Sequence, residues 1–229
     1  RDGWISGLPE EEGREHPTAG GLRIGKPLPE RGPDDPYDRR LEWERDGQYF
    51  HYLTRWMHAL ERATAVTGAA RYHRWAAELG TVAYERFGHG PTDIPSRLYW
   101  KMSIDLSRPL VPSMGQHDPL DGYVALSEIR DGPGGRRATL EPGLAVAVDG
   151  AIDGLARITD TTQLGTDDPL GVGSLLRDAW LLARVTEPEQ PERERILERV
   201  LEAAETSLGA VRRSRLLDLP ATQRLAFRE

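Results

Sequence analysis

Residues 47–87, GQYFHYLTRWMHALERATAVTGAARYHRWAAELGTVAYERF, decide the fold. Apolar and aromatic residues recur in this stretch at spacings of three and four, which is the period of an amphipathic α-helix. The pattern predicts one helix near 47–66 and a second near 70–87, with Gly68 between them. Because the link between the two helices is so short, they should form an antiparallel hairpin.

The same pattern of paired helices returns towards the C-terminus. We predict further helices near 119–130, 141–159, 169–186 and 191–212. The first and third of these start alike, at Asp118-Pro119-Leu120 and at Asp168-Pro169-Leu170. An Asp before a Pro is typical of a helix N-cap followed by the first helical residue. Similar starts that lie 50 residues apart, with two helices in each period, favour tandem helical hairpins.

The chain is therefore predicted to be a single all-α domain. Residues 1–41 are rich in Gly, Pro and charged residues and lack a helical period, so we expect an irregular arm or loop there. Residues 42–229 are assigned to the hairpins. In each hairpin the inner helix is broadly apolar, and the outer helix has a single apolar stripe. Since the sequence starts at Arg1 and its apolar pattern continues to the end, we expect a truncated piece of a longer protein.

The composition disfavours several classes of function. The chain has no Cys, and therefore no disulfide, thiolate nucleophile or Cys-based metal site. Its formal net charge of -7 disfavours nucleic acid as a partner, because binding to phosphates requires a basic surface. No apolar run approaches the about 20 residues that span a bilayer, and no signal-like segment is found. We predict a cytoplasmic protein without a membrane partner.

Polar and aromatic residues are densest in LEWERDGQYFHY, residues 41–52, where the first long helix begins. Glu44 and Asp46 are candidate acid/base groups there. The alternative for Asp46 is a helix N-cap. The aromatic rings of this segment can stack on a sugar ring, and its other polar side chains can hydrogen-bond one. The candidate substrate-binding residues of the segment are Trp43, Gln48, Tyr49 and His51.

A second candidate region is the segment 88–118. It contains four Pro and little helical period, yet it is too apolar for disorder, so we expect it to be ordered over the surface that holds Trp43. Alternating residues around 98–106 allow a short strand. His117 and Asp118 are the candidate catalytic residues of this region. Its candidate substrate-binding residues are Trp100, Lys101, Asp105, Gln116 and Asp121.

Two of these candidate residues also have a purely structural explanation. Asp118 and Asp121 could be a cap and a favourable charge in the first turn of a helix. The same explanation is strong for Asp168, which has no polar or aromatic residues around it, so Asp168 is left out of the site. His117 has no such structural explanation.

A stripe of basic residues follows the first long helix at spacings of four, three and four: His51, Arg55, His58 and Arg62. Histidines at helical spacing can bind a metal ion. The intervening arginines would repel a cation, so we expect hydrogen bonds to a neighbouring helix and no metal. The sequence contains no Gly-rich phosphate loop, nucleophile elbow or dinucleotide fingerprint, and we predict no cofactor.

The segments LEWERDGQYFHYLTRWMHAL (41–60) and YWKMSIDLSRPLVPSMGQHDPLDG (99–122) resemble a group of uncharacterised bacterial proteins within the six-hairpin glycosidase-like superfamily. The resemblance covers most of the chain, down to LGVGSLLRDA at 170–179. It implies an (α/α)6 toroid that this chain fills only in part. The wider superfamily includes glycoside hydrolases, unsaturated glucuronyl hydrolases and sugar 2-epimerases. Such a likeness concerns the fold, and it transfers no catalytic role to a residue of this chain.

The leading hypothesis is an enzyme that acts on a small carbohydrate. A glycoside hydrolase needs one carboxylic acid to protonate the leaving oxygen and a second carboxylate as base or nucleophile. The carboxylates available for such a pair in the toroid pocket are Glu44, Asp46, Asp105, Asp118 and Asp121. Two alternatives stay open: a sugar 2-epimerase-like isomerase with His51 and His117 as acid/base groups, and a non-catalytic sugar-binding or interaction module. A terpenoid-cyclase-like toroid is disfavoured, because no D-D-x-x-D cluster occurs.

Overall fold

The computed structural model describes residues 8–132, 139–185, 190–214 and 218–220. The chain is mostly helical and divides into two compact units, residues 1–158 and 159–229. The helices of the first unit are α1 (Glu10–Glu15), α2 (Arg39–Glu44), α3 (Phe50–Thr67), α4 (Ala70–Phe87), α5 (Asp118–Asp131) and α6 (Pro142–Ile158). Its strands are β1 (Gln48–Tyr49), β2 (Gly88–His89), β3 (Arg97–Leu98), β4 (Lys101–Met102) and β5 (Pro109–Val111). The second unit contains α7 (Pro169–Val185) and α8 (Pro191–Ser214).

All six predicted helices are present, with small differences at their ends. The predicted start at residue 47 was wrong, because residues 48 and 49 form β1 and α3 begins at Phe50. The short helices α1 and α2 were not predicted. Both contain only six residues, so neither repeats an apolar stripe that a sequence pattern could reveal.

Helices α3 to α6 form two layers. The hairpins α3–α4 and α5–α6 are each packed internally, α3 packs on α5, and α4 packs on α6. The first helices of the two hairpins thus share one layer and the second helices share the other, as predicted for tandem hairpins. Residues 118–129 of α5 are buried on every side of the helix. Such complete burial is typical of an inner helix.

The two Asp-Pro starts differ in detail. Asp168 is an N-cap as predicted, because its carboxylate accepts the N–H groups of Leu170 at 3.3 Å and Gly171 at 3.1 Å. For Asp118 the N-cap prediction was wrong. His117 occupies the N-cap position, Asp118 is the first residue of α5, and its carboxylate reaches back to the N–H of Gly115 at 3.0 Å.

The predicted arm contacts the first hairpin. Thr18 donates a hydrogen bond to the carbonyl of Trp75 at 2.7 Å, and the Trp75 indole donates to the carbonyl of Glu15 at 3.0 Å. Leu28 forms an isolated parallel bridge with Arg45. These contacts hold the arm on α4 and beside the segment that enters α3. No helix in the described parts of the chain is long and apolar enough to cross a lipid bilayer.

A pair of glycine variants tests the packing of α5 between its neighbours. A Cβ on Gly122 would lie 2.9 Å from the Phe50 ring and 3.0 Å from Leu155, and both side chains are fully buried. We expect Gly122→Ala to lower the free energy of unfolding by about 1–3 kcal/mol, because the core must shift. Gly150 in α6 has open space around it, so Gly150→Ala should raise that free energy by about 0.5–1 kcal/mol. Chemical denaturation of both variants measures this, and a neutral Gly122→Ala would contradict the packing.

Candidate functional site

A short β-ladder brings the two predicted polar segments together. Strands β1 and β4 pair antiparallel, with Gln48 opposite Met102 and Tyr49 opposite Lys101. The N–H of Phe50 also donates to the carbonyl of Trp100 at 3.3 Å. The segment that enters α3 and the segment 99–102 therefore lie side by side.

Gly47 makes this ladder possible. Its φ of 154° lies in a region that residues with a side chain rarely adopt. A Cβ at this position would lie 2.8 Å from the carbonyl oxygen of Met102 and 2.8 Å from the Lys101 side chain. The close approach of the two segments thus requires glycine after Asp46.

Aromatic rings from both segments form one cluster. The Trp43 and Trp100 ring centroids lie 5.1 Å apart, and those of Tyr49 and Trp100 lie 5.2 Å apart. His51 lies 4.4 Å from Tyr52 and 6.5 Å from Trp100, almost parallel to the latter ring. Tyr49 is buried beneath the others, whereas Trp43 is 47% exposed and Tyr52 is 43% exposed.

We call the outer rings of this cluster, Trp43, His51, Tyr52 and Trp100, the aromatic surface. The prediction that the segment 88–118 packs over Trp43 is confirmed by the Trp100 contact. Tyr52 was not selected from the sequence. Its aromatic ring within the segment 41–52 was the available signal.

His51 is neutral at physiological pH. Burial lowers its pKa to about 4, and the positive charge of Arg55 one turn along α3 acts in the same direction. An imidazole with so low a pKa is a weak base at neutral pH. Its ring can stack and hydrogen-bond, as the rest of the aromatic surface can.

Two carboxylates lie in the first turn of α5, next to Arg55. Asp118 is 5% exposed, and burial raises its pKa to about 6, against the smaller opposing effects of the Gly115 N–H and Arg55. Asp121 is 4% exposed, and its Oδ2 lies 3.3 Å from Nη2 of Arg55. Because Arg55 is on α3, this ion pair joins the N-terminal parts of α3 and α5. The stripe residue Arg55 thus connects the aromatic surface with the two carboxylates.

Asp46 has a structural role. It is fully buried, forms an ion pair with Arg23 at 2.6 Å, and accepts the N–H groups of Gly25 at 2.7 Å and Gly47 at 2.9 Å. The N-cap interpretation was wrong, because Tyr49 occupies the N-cap position of α3. Asp46 instead fastens the arm to the start of the hairpin.

Gln48 and Lys101 are also fully buried. The Gln48 side chain accepts the N–H of Leu22 at 2.7 Å and donates to the carbonyl of Ile104 at 2.7 Å. The Lys101 ammonium donates to Glu42 Oε1 at 2.8 Å and to two backbone carbonyls. Burial lowers the pKa of Lys101, while Glu42 opposes this effect. We therefore leave both side chains out of the proposed site.

The other predicted site residues lie nearer the surface. Glu44 and Gln116 are exposed, and His117 is half-buried. Asp105 is exposed and accepts hydrogen bonds from Ser103 and Ser107 within its own loop, and the bond from Ser103 is the main cause of its lowered pKa. The hydrogen bonds of Asp105 thus stabilise its own loop, and we leave Asp105 out of the proposed site.

The remaining histidine of the predicted stripe is hydrogen-bonded, as expected. His58 on α3 lies 2.5 Å from Glu128 on α5, and the nearby His73 on α4 lies 2.7 Å from Glu61 on α3. These pairs link α3 to both of its neighbours. Among the residues that the structure describes, no group of three or more His, Asp or Glu side chains is arranged to hold a metal ion.

Comparisons with known proteins add no further information. No family model, no curated protein and no solved structure matches this chain.

Proposed function

We propose that this chain is a carbohydrate-active enzyme of the (α/α)6-toroid type that hydrolyses glycosidic bonds. In this proposal the sugar stacks on the aromatic surface, and Asp118 is the proton donor. The toroid supplies the architecture: α3 and α5 are inner helices, and α4 and α6 are outer helices. The two-layer packing of these hairpins and the burial of α5 support this assignment.

One observation carries the proposal. Half-exposed aromatic rings lie at the N-terminal part of α3, and a buried carboxyl group lies in the first turn of α5, the helix that packs on α3. The faces of aromatic rings bind the apolar C–H faces of sugars, and their polar edges bind water or hydroxyl groups. Trp43 and Tyr52 leave nearly half of their surface in water, so their rings are accessible to a ligand.

Asp118 has the properties of a general acid. A proton donor in glycoside hydrolysis needs a raised pKa, so that it is still protonated near neutral pH. Burial supplies this shift, and the pKa of about 6 agrees with the role. Asp121 is the second carboxylate. It follows Asp118 by three positions, which places both on one face of α5 with roughly 5–6 Å between Cβ atoms.

The stereochemical outcome depends on the distance between the two carboxyl groups. Retaining glycosidases hold their two carboxyl groups roughly 5–5.5 Å apart, whereas inverting enzymes need a wider gap for a water molecule. Asp121 lies against Arg55, and an arginine partner suits a carboxylate that has to act in its ionised form. The predicted pairs with Glu44 or Asp46 are weaker, since Glu44 is exposed and Asp46 is held by the arm. The epimerase alternative is weaker because of the low pKa of His51.

A tryptophan variant tests the proposed sugar site. We expect Trp43→Ala to weaken oligosaccharide binding about tenfold, because the ring would lose its stacking contact with the sugar. Calorimetric titration of the chain with cellopentaose, maltopentaose and xylopentaose measures the affinity, and a reducing-end assay on the same sugars measures hydrolysis. The matched control is Trp180→Ala in α7, because Trp180 is 52% exposed, packs against Arg184 and is not one of the rings of the aromatic surface.

The outcomes separate the competing functions. Binding that depends on Trp43 and is accompanied by release of reducing ends supports the hydrolase. Binding that depends on Trp43 without any turnover supports the sugar-binding module instead. Equal effects of Trp43→Ala and Trp180→Ala would show that the aromatic surface has no special role.

A further inference from the structure

A groove with two arginines lies next to the aromatic surface. It has a volume of about 510 Å³ and runs between the arm and one face of α3. The residues that matter here are Arg23 from the arm, and Tyr52, Arg55, Trp56 and Ala59 from α3. We call it the arginine groove. Tyr52 belongs to both the groove and the aromatic surface, so one extended ligand can reach both.

The walls of the groove can hold a ring. Tyr52 is 43% exposed and Trp56 is 50% exposed, and they lie four positions apart on α3. The volume is in the range of small-molecule sites, which is roughly 300–1,000 Å³. The groove therefore has the aromatic walls and the volume that one further sugar unit requires.

Each of the two arginines is paired with a buried carboxylate. Nη2 of Arg23 lies 2.6 Å from Asp46, which is fully buried, and Nη2 of Arg55 lies 3.3 Å from Asp121, which is 4% exposed. The Arg23 side chain keeps 18% exposure and the Arg55 side chain 36%. Each guanidinium is thus oriented by a buried carboxylate while part of its side chain faces solvent. A guanidinium has five N–H donors, so one that is paired with a carboxylate can still donate a charge-assisted hydrogen bond to an anion.

We infer that the saccharide bound by this chain carries an anionic group, a carboxylate, sulfate or phosphate, that is recognised by Arg23 and Arg55 in the arginine groove. This inference rests on the proposed function and gives its substrate class. The buried Asp46 and Asp121 neutralise part of the arginine charge, so the preference comes from local charge-assisted hydrogen bonds. A preference of about tenfold over the neutral sugar is the expected size.

The first test uses the unmodified chain. Trigalacturonate, its methyl ester, and sulfated and unsulfated cellotriose are titrated by calorimetry. The inference predicts that trigalacturonate or the sulfated sugar binds at least about tenfold more tightly than its neutral counterpart. The pair with the larger difference identifies carboxylate or sulfate as the preferred group, and inorganic phosphate alone shows whether a free anion suffices.

A variant at the exposed position 59 tests whether the anionic group binds in the arginine groove. Ala59 is exposed on α3, four positions after Arg55, so Ala59→Glu adds a negative charge beside the arginines without removing a buried partner. We expect this variant to weaken binding of the anionic sugar about tenfold more than binding of the neutral one. Ala59→Gln, which has the same size without the charge, is the control and should change both affinities less than about threefold.

The results distinguish the inference from the proposed function. Equal affinities for the acid and its ester, with binding still dependent on Trp43, would overturn the inference and leave the proposed function standing. Equal effects of Ala59→Glu and Ala59→Gln would also overturn it. If none of the sugars binds, the proposed function fails, and the inference falls with it.

Discussion

Replacing Asp118 with Asn is expected to slow glycoside hydrolysis at least about 100-fold, because the leaving oxygen would lose its proton donor. Asn has nearly the shape of Asp and can still accept the N–H of Gly115 through its side-chain oxygen. Sugar binding on the aromatic surface should therefore persist. Initial rates of reducing-end release, together with calorimetric affinities, separate the chemical step from binding.

The pH dependence of stability is the control for this variant. In the folded chain, burial raises the pKa of Asp118 from 3.8 to about 6, so the folded state disfavours the charged carboxylate. The protonated Asp118 contributes fully to the stability of the fold below the pKa that its carboxyl group has in the unfolded chain. This contribution is lost as the pH rises through about 6. Asn cannot ionise, so at pH 8 Asp118→Asn should be more stable than the wild type by about 3 kcal/mol.

Below about pH 4 this difference should vanish, because both chains then bury a neutral group. Urea denaturation across this pH range measures it. Wild-type turnover in Asp118→Asn would exclude Asp118 as the acid. A stability difference that does not change with pH would contradict the burial of its carboxylate.

Lys101→Met is expected to lower the free energy of unfolding by about 3–5 kcal/mol. The Lys101 ammonium is fully buried and contacts Glu42 Oε1 together with the carbonyls of Glu42 and Arg45. Met fills a similar volume but donates no hydrogen bond. The variant leaves two carbonyls and one carboxylate oxygen without this partner where water has little access.

The other lysine of the chain provides the control. Lys26 and Lys101 carry like charges that repel each other. Removing the charge of Lys26 in Lys26→Met should therefore be neutral or slightly stabilising. Chemical denaturation of both variants at neutral pH measures the difference. A loss below about 1 kcal/mol for Lys101→Met would show that the ammonium reaches water, and Lys101 would return to the list of possible ligand-binding residues.

The helical hairpins could be predicted from the sequence because their information is local. Apolar residues at spacings of three and four define α3 and α4, and Gly68 marks the boundary with a left-handed φ of 73°. The β1–β4 ladder could not be predicted in the same way. A strand of two residues shows no alternation, and the pairing of Gln48 with Met102 joins positions far apart in the chain.

The candidate site was predictable in its aromatic part and not in its charged part. Trp43, Tyr49 and Trp100 stand out by residue type, since large rings in loops need either a core or a ligand. Asp46 and Lys101 also stand out by residue type, yet their partners Arg23 and Glu42 come from other segments. Sequence alone gave no sign that these charges are neutralised in the interior. The same limit applied to Asp118, because its pKa is raised by burial, which is a property of the folded chain.

The most direct test of the central claim is an NMR titration that follows the tryptophan indole N–H signals while the chain binds an oligosaccharide. The account predicts that the signals of Trp43 and Trp100 shift, because both rings belong to the aromatic surface. Trp75, whose indole is bonded to the carbonyl of Glu15, and Trp180 in α7 should stay unchanged. Shifts confined to Trp75 or Trp180, with Trp43 and Trp100 unmoved at saturation, would contradict the account.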